Sequence, residues 1–220
     1  MKLPHKPKPY LMAHRGNRVA CPENTLAAFR RALDDGADII ETDLHVTADG
    51  EFVCIHDATL DRTTDGYGPV AGMTLAQLKA LSASYGRPGF EQERIPTLAE
   101  LAALLPSETA LGVRDRTLVL SFSQARLQAI AAVAPDIPTG WITISSPWPA
   151  RGPQLLGPYW PLLLLNPLYV WLAHRRGQFV APLDPTPDRR VSFYVRLGCD
   201  AILSDNPAAT AAALRRIRNR

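Results

Sequence analysis

Cysteine is scarce in this chain, and its placement excludes two classes of site. Cys21, Cys54 and Cys199 lie far apart and form no Cys-x-x-Cys pair, which argues against a zinc cluster or a disulfide framework and fits a reducing compartment. An unbroken apolar run is also missing. The most apolar stretch, Tyr159 to Ala173, is interrupted by Pro161 and Pro167 and is shorter than the ~20 residues that a helical membrane span requires. It reads as buried strand and helix, or alternatively as a surface that touches lipid. The opening nine residues carry prolines and lysines but no apolar core of a signal peptide, so residues 1–9 are expected to be an extended lead-in and the location cytoplasmic. No glycine-rich dinucleotide fingerprint follows the first apolar run, which argues against a Rossmann domain. The net charge of +3 is modest, and the basic end from Arg215 to Arg220 reads as a solvated helix terminus. No nucleic-acid partner is expected.

The chain of 220 residues, 46% hydrophobic and 20% charged, is long enough to bury a sizeable core. Short apolar runs alternate with helical patterns. Strands are expected over Tyr10 to Ala13, Ile39 to Leu44, Phe52 to Ile55, Thr117 to Phe122, Trp141 to Ile144, Phe179 to Ala181 and Ala201 to Leu203. A helix opened by Asn24 carries Leu26, Phe29 and Leu33 on one face, and others are expected at Thr74 to Leu81, Thr97 to Leu105, Ser123 to Val133, Pro187 to Leu197 and Ala208 to Arg218. Such alternation implies a parallel sheet with crossover helices, either a (β/α) barrel or an open doubly wound sheet. No linker interrupts it, so residues 10–220 read as one domain.

Within the first quarter of the chain lie His14-Arg15-Gly16, Glu41-Thr42-Asp43 and His56-Asp57. On a strand, Glu41 and Asp43 point to the same face with Cα atoms ~6.6 Å apart, so together they can bracket a hard divalent cation. His14 and His56 each follow an apolar run, at the carboxyl ends of strands where active sites of parallel α/β folds collect. Two imidazoles can carry protons. Arg15 offers a fork of donors for a phosphate, and Gly16 lets backbone approach a ligand closely. Asp57 reads as a turn residue or as a group that orients an imidazole or assists the metal, while His45 reads as a surface residue.

These residues stand in a longer pattern. Ala13-His14-Arg15-Gly16 is followed by Pro22-Glu23-Asn24-Thr25-Leu26, then Glu41-x-Asp43 and Thr47-x-Asp49-Gly50. His56-Asp57-x-x-Leu60-Asp61-Arg62-Thr63-Thr64 and Ile95-Pro96-Thr97-Leu98 come next, and Gly198-Cys199-Asp200-Ala201-Ile202-Leu203-Ser204-Asp205-Asn206-Pro207 closes it. In this order the chain resembles the glycerophosphodiester phosphodiesterase family. The resemblance implies a (β/α)8 TIM barrel that acts in lipid metabolism, hydrolysing glycerophosphodiesters to glycerol 3-phosphate and an alcohol. It implies that His14 and His56 are the general acid/base pair, Arg15 a phosphate contact, and Glu41 and Asp43 ligands of Mg²⁺ or Ca²⁺. The nucleophile it implies is water or the neighbouring glycerol hydroxyl.

One part of the pattern is missing. After Ile95 to Leu98 and its helix, the family carries a Glu-x-Lys strand, whose Glu binds metal and whose Lys contacts phosphate. Here the chain runs from Ala110 to Val113 and then through Arg114-Asp115-Arg116 into the next apolar run. A barrel shortened by one β/α unit in the middle is therefore expected, with a weaker cation site. Glu108, Asp115 and Asp205 are the acids that can substitute. The family's aromatic near its Val-x-Trp strand is replaced by Ala181-Pro182-Leu183-Asp184. Two further readings stand beside the enzyme acting on glycerophosphodiesters. One is hydrolysis of lysophospholipids, held by the apolar stretch or a membrane surface contact; the other is a silent relative that binds phosphodiester or metal without turnover.

Overall fold

The computed structural model describes residues 6–105 and 117–219, which form two compact units. One comprises the described residues of Met12–Pro106 and Ser204–Ala212, the other those of Met1–Leu11, Ser107–Leu203 and Ala213–Arg220.

In the first unit, β1 (Tyr10–His14) continues from Met12 in parallel pairing with β2 (Ile39–Glu41), so that His14 lies opposite Glu41. Between them runs α1 (Leu26–Asp34), which buries Ala28, Phe29 and Ala32. Its cap is Thr25, whose hydroxyl accepts from Ala28 N, and not the expected Asn24. Asn24 instead adopts φ 55, a left-handed conformation that Asn tolerates better than most residues. Its amide oxygen accepts from Thr42 Oγ1 at 2.8 Å.

The second expected strand is also interrupted. β2 stops at Glu41, and β3 (Leu44–Val46) pairs antiparallel with β4 (Phe52–Cys54), Leu44 opposite Cys54. The third apolar run is thus the return arm of a hairpin and not a parallel barrel strand. The cause is local. Thr47 Oγ1 donates to Asp49 Oδ1 at 2.6 Å and accepts from Glu51 N at 2.9 Å, and so short a turn can join only antiparallel strands. Beyond it, α2 (Leu75–Ala80) and α3 (Leu98–Leu104) begin with the capping boxes that Thr74 and Thr97 announce. Val53, Ile55, Leu60, Val70, Leu78 and Ile95 form a core under the loop that carries His56 to Arg62.

In the second unit, β5 (Val119–Ser121), β6 (Thr139–Thr143), β7 (Leu155–Pro158) and β8 (Phe179–Val180) make an all-parallel sheet in the order β5-β6-β7-β8. The order simply follows the chain, as in a barrel, with none of the reversal that marks a doubly wound sheet. α4 (Gln124–Val133), capped by Ser123, joins β5 to β6, while α5 (Leu162–Leu165) and α6 (Tyr169–His174) join β7 to β8. α7 (Val191–Leu197) ends at Gly198 with φ 78, as expected, but starts later than Pro187. Arg190, just before it, is held in a bidentate pair with Asp184 at 2.6 and 2.7 Å. β9 (Ala201–Ser204) and α8 (Pro207–Arg218) close the chain.

The second unit packs around Leu156, Leu163, Tyr169, Val180, Tyr194 and Ile202. The buried Asp200 is fully used there: its carboxylate accepts from Lys8 Nζ, from Val180 N and from His174 Nε2. The apolar stretch from Tyr159 to Ala173 is buried on one face only, because Leu164, Leu165, Leu168 and Trp171 are more than half exposed. All three cysteines are free and buried, with burial pushing the Cys54 thiol up to about 11 and that of Cys199 to about 12. No helix of the described residues is long and apolar enough to cross a membrane.

Candidate active site

The residues singled out in the sequence gather in the unit of Met12–Pro106 and Ser204–Ala212. His14 ends β1, and the chain then turns through two left-handed residues, Arg15 at φ 58 and Gly16 at φ 80. Gly16 is required: a Cβ there would stand 2.6 Å from the Ala28 carbonyl carbon and 2.7 Å from its Cβ. For Arg15 the conformation is uncommon and costly, as at many functional sites. Backbone bonds hold it, Arg15 N donating to Glu41 O at 2.9 Å and Asn24 N to Arg15 O at 3.0 Å.

Each histidine is steered through Nδ1 by a carboxylate. His14 Nδ1 lies 2.7 Å from Asp205 Oδ1, with both side chains largely buried. His56 Nδ1 lies 2.5 Å from Asp57 Oδ1. This pairing orients each ring through Nδ1 and leaves Nε2 as its other titratable edge. His45, expected at the surface, is half-buried and places Nε2 3.1 Å from the His56 carbonyl oxygen.

A ladder of ion pairs joins the two histidines. Asp57 Oδ2 accepts from Arg62 Nε at 2.6 Å, and Glu23 Oε1 accepts from Arg62 Nη2 at 2.8 Å and Arg15 Nη1 at 3.0 Å. Arg18 spans the remaining gap, 3.6 Å from Glu23 Oε2 and 3.7 Å from Asp205 Oδ2. Glu23 is the hub. Burial opposes its ionisation, but the Arg62 hydrogen bond and the charges of Arg15, Arg62 and Arg18 outweigh it and hold the carboxyl at about 2. Arg62 and His56, hydrogen-bonded to Asp57, bring that carboxyl to about 2 as well. Glu23, Arg62, Arg18 and the pairing of Asp205 with His14 escaped the sequence reading, although Glu23, Arg62 and Asp205 stand inside the quoted motifs.

Glu41 and Asp43 do not share one strand face, since β2 ends at Glu41 and Asp43 falls in the gap before β3. Arg15 connects them instead: its backbone N binds Glu41 O, and its Nε lies 3.1 Å from Asp43 Oδ2. Glu41 Oε2 is buried and has no hydrogen-bond partner among the described residues. Burial pushes the Glu41 carboxyl up, with His14 and Arg15 pulling the other way and Asp43 adding to the rise. A buried, unpartnered carboxylate oxygen is costly, and a cation is the partner it suits. The three guanidiniums face five carboxylates, Glu23, Glu41, Asp43, Asp57 and Asp205, so a divalent ion would balance the two acids in excess.

Among the described residues no third His, Cys, Asp or Glu completes a metal-holding group. Asp205 is engaged by His14 and Arg18. Glu108, Asp115 and the expected strand break from Ala110 to Arg116 lie outside the described residues. Asp184 is buried and holds Arg190 and the Tyr194 hydroxyl.

Carboxylate-steered imidazoles and an orphaned acid, set beside the end of a parallel strand, form a constellation suited to acid–base chemistry next to a cation. Two solved structures share the architecture. A glycerophosphodiester phosphodiesterase from Agrobacterium tumefaciens matches with a TM-score of 0.79 at 25% identity, covering 93% of this chain and all of that one. A phosphodiesterase from Oleispira antarctica, in complex with the product sn-glycerol-3-phosphate, matches equally, covering 94% and 97%. The fold is thus a TIM-type (β/α) barrel, as the sheet order implies. Residues 14–113 match the sequence model of the glycerophosphoryl diester phosphodiesterase family. A glycerophosphodiester phosphodiesterase from Caldanaerobacter subterraneus is 30% identical over 91% of this chain and 95% of the relative. The chain belongs to this family. The alignment with that relative runs over 234 positions, more than the 220 residues of the chain, so the relative carries residues lacking here, in accord with a shortened barrel.

Proposed function

We propose that this protein hydrolyses glycerophosphodiesters to glycerol 3-phosphate and an alcohol, using His14 and His56 for proton transfer and a divalent cation at Glu41 and Asp43. The observation that carries the proposal is the common arrangement of the two histidines, each held through Nδ1 by its own carboxylate and joined to the other by the ladder through Glu23. One Nε2 takes the proton of the attacking hydroxyl and the other gives a proton to the leaving alkoxide; attack by water yields glycerol 3-phosphate directly, whereas attack by the neighbouring glycerol hydroxyl yields a cyclic phosphate that water then opens with the two imidazoles in exchanged roles. Asp205 and Asp57 stabilise whichever imidazole becomes charged. Arg15 binds a phosphoryl oxygen, since its buried Nε–H lacks a well-aligned acceptor although Asp43 is close.

The donor set suits Mg²⁺ or Ca²⁺ because all its ligands are oxygen. Glu41 Oε2 and Asp43 would hold the ion, and two carboxylates suffice for Mg²⁺ when waters and substrate phosphate complete the shell. When bound, the cation neutralises charge on the phosphoryl oxygens and acidifies a coordinated hydroxyl. A second reading, hydrolysis of lysophospholipids, is favoured by the exposed leucines of α5 and by Leu168.

Purified protein incubated with glycerophosphocholine and with a lysophospholipid, with Mg²⁺, Ca²⁺ or chelator, tests both. Release of glycerol 3-phosphate that chelator and His14→Ala each abolish is the expected result. Faster turnover of the lysophospholipid selects the second reading, and well-folded protein without turnover under any metal identifies a silent relative.

A further inference from the structure

We propose that the outer face of α5 and α6 docks on an anionic lipid bilayer. From Ile137 to Leu183 the chain contains no Asp or Glu, although it has 21 in all. The same segment holds all four tryptophans, Trp141, Trp148, Trp160 and Trp171, and its full charges are Arg151, Arg175 and Arg176. Ordinary soluble surfaces intersperse both signs; this one carries a single sign among apolar side chains.

The structure puts those side chains outside. On the inner face of the two helices Leu163, Tyr169, Val170 and Ala173 are at most 2% exposed, whereas Leu164 is 57%, Leu165 74%, Leu168 59% and Trp171 53% exposed. Leu168, Trp171 and Arg175 are spaced by three and four residues and lie along one helical face. The Arg175 guanidinium sits 5.1 Å from the Trp171 ring centroid. Trp148, 63% exposed, is fastened beside them: the Pro147 carbonyl accepts from Asn166 Nδ2 and the Pro149 carbonyl from Arg176 Nη1, each at 2.8 Å. The surface is therefore preformed.

Apolar side chains with a tryptophan beneath an arginine match the membrane interface, where leucine enters the acyl boundary and aromatic and basic groups settle among headgroups. Acidic lipids supply the negative charge that the segment itself lacks. A second copy of the same face would oppose arginine to arginine with no acid to pair them. This inference is independent of catalysis and stands whether or not the protein turns over phosphodiesters.

Co-sedimentation with phosphatidylcholine vesicles, with and without about one-third phosphatidylglycerol, tests it on the full chain. Binding is expected to be at least tenfold stronger to the anionic vesicles and to weaken in high salt. Brominated lipid should quench tryptophan emission, less so in Trp171→Leu. Leu164→Glu/Leu165→Glu should lose at least tenfold in binding, and Arg151→Glu/Arg175→Glu roughly fivefold for each charge. Because all four positions are exposed, unchanged circular dichroism and melting should accompany the loss. Absence of binding, equal binding to both vesicle types, or a protein dimer in solution that Leu164→Glu/Leu165→Glu dissociates would each overturn the proposal.

Discussion

Replacing Glu23 by Gln removes one charge from the centre of the ladder while keeping its shape. The side chain is only 6% exposed, and it lies within 3.0 Å of Arg15 and Arg62 and 3.6 Å of Arg18. In the folded protein its carboxyl is held at about 2 against an ordinary 4.5. At 1.36 kcal/mol for each pKa unit, that favours the charged native state by roughly 3 kcal/mol near neutral pH. Truncation of one partner in a buried ion pair gives a similar figure, about 3–5 kcal/mol. For a chain of this size, Glu23→Gln should lower the melting temperature by about 6–12 °C at pH 7.

The pH dependence carries the decisive sign. A carboxyl whose folded pKa is depressed contributes fully above its unfolded value, and that contribution fades as pH falls towards its folded value. The gap between wild type and Glu23→Gln, measured by urea unfolding, should hold steady from pH 8 to pH 6 and shrink progressively below about pH 4.5. Arg15 and, through Asp57, His56 should lose register, so kcat should fall about tenfold or more. A gap below about 1 kcal/mol at pH 7, or one that persists undiminished to pH 3, would refute the role of Glu23 as the hub.

Asp205→Asn should leave the fold intact by circular dichroism and reduce kcat ~10²–10⁴-fold, because the amide can hold the His14 ring in the wrong tautomer; a kcat within threefold of wild type would rule out steering by Asp205. Glu41→Gln should melt at or above the wild-type temperature in chelator, since it removes a buried carboxylate whose ionisation burial opposes. The same variant should lose most of the stabilisation that saturating Mg²⁺ confers on wild type, about 3 kcal/mol at a hundredfold excess over Kd; an undiminished Mg²⁺ response would show that Glu41 is not a ligand.

The candidate residues and several element ends could be singled out in the sequence because they sit beside local signals. His14 ends a strand visible as an apolar run, Thr74 and Thr97 announce capping boxes, and Gly198 announces a helix end. What could not be read has no local period. Asp205 reaches His14 across 191 residues, and Glu23 finds its arginines through the fold. By type Asn24 is the better cap and Thr25 the weaker one, yet Thr25 caps α1 because the Thr42 hydroxyl occupies the Asn24 amide oxygen. Apolar run length likewise does not reveal pairing direction or facing. Phe52 to Cys54 pairs backwards because of a threonine–aspartate turn, and the leucine-rich segment is apolar on both faces but buried on one.

On the proposed function, in which Glu41 and Asp43 hold the cation, the same long-range pairs explain how a site with two acidic ligands can stay organised. In a site with three carboxylates, the cation itself can gather the donors. Here Glu41 is fixed by the parallel register with His14, and Asp43 is positioned by Arg15, which Glu23 fixes in turn. The protein scaffold thus sets the geometry that an additional ligand would otherwise impose, while the two acids in excess are left for a divalent ion to balance. Such a site should be well ordered before the cation arrives, yet bind it weakly, because preorganisation lowers the entropic cost of binding but ligand charge still tunes affinity. Calorimetric titration of Mg²⁺ should therefore give a dissociation constant in the upper micromolar to millimolar range. Mg²⁺ should change the near-ultraviolet circular dichroism little; a large spectral change on binding would mean that the ion, and not the Glu23 ladder, assembles the site.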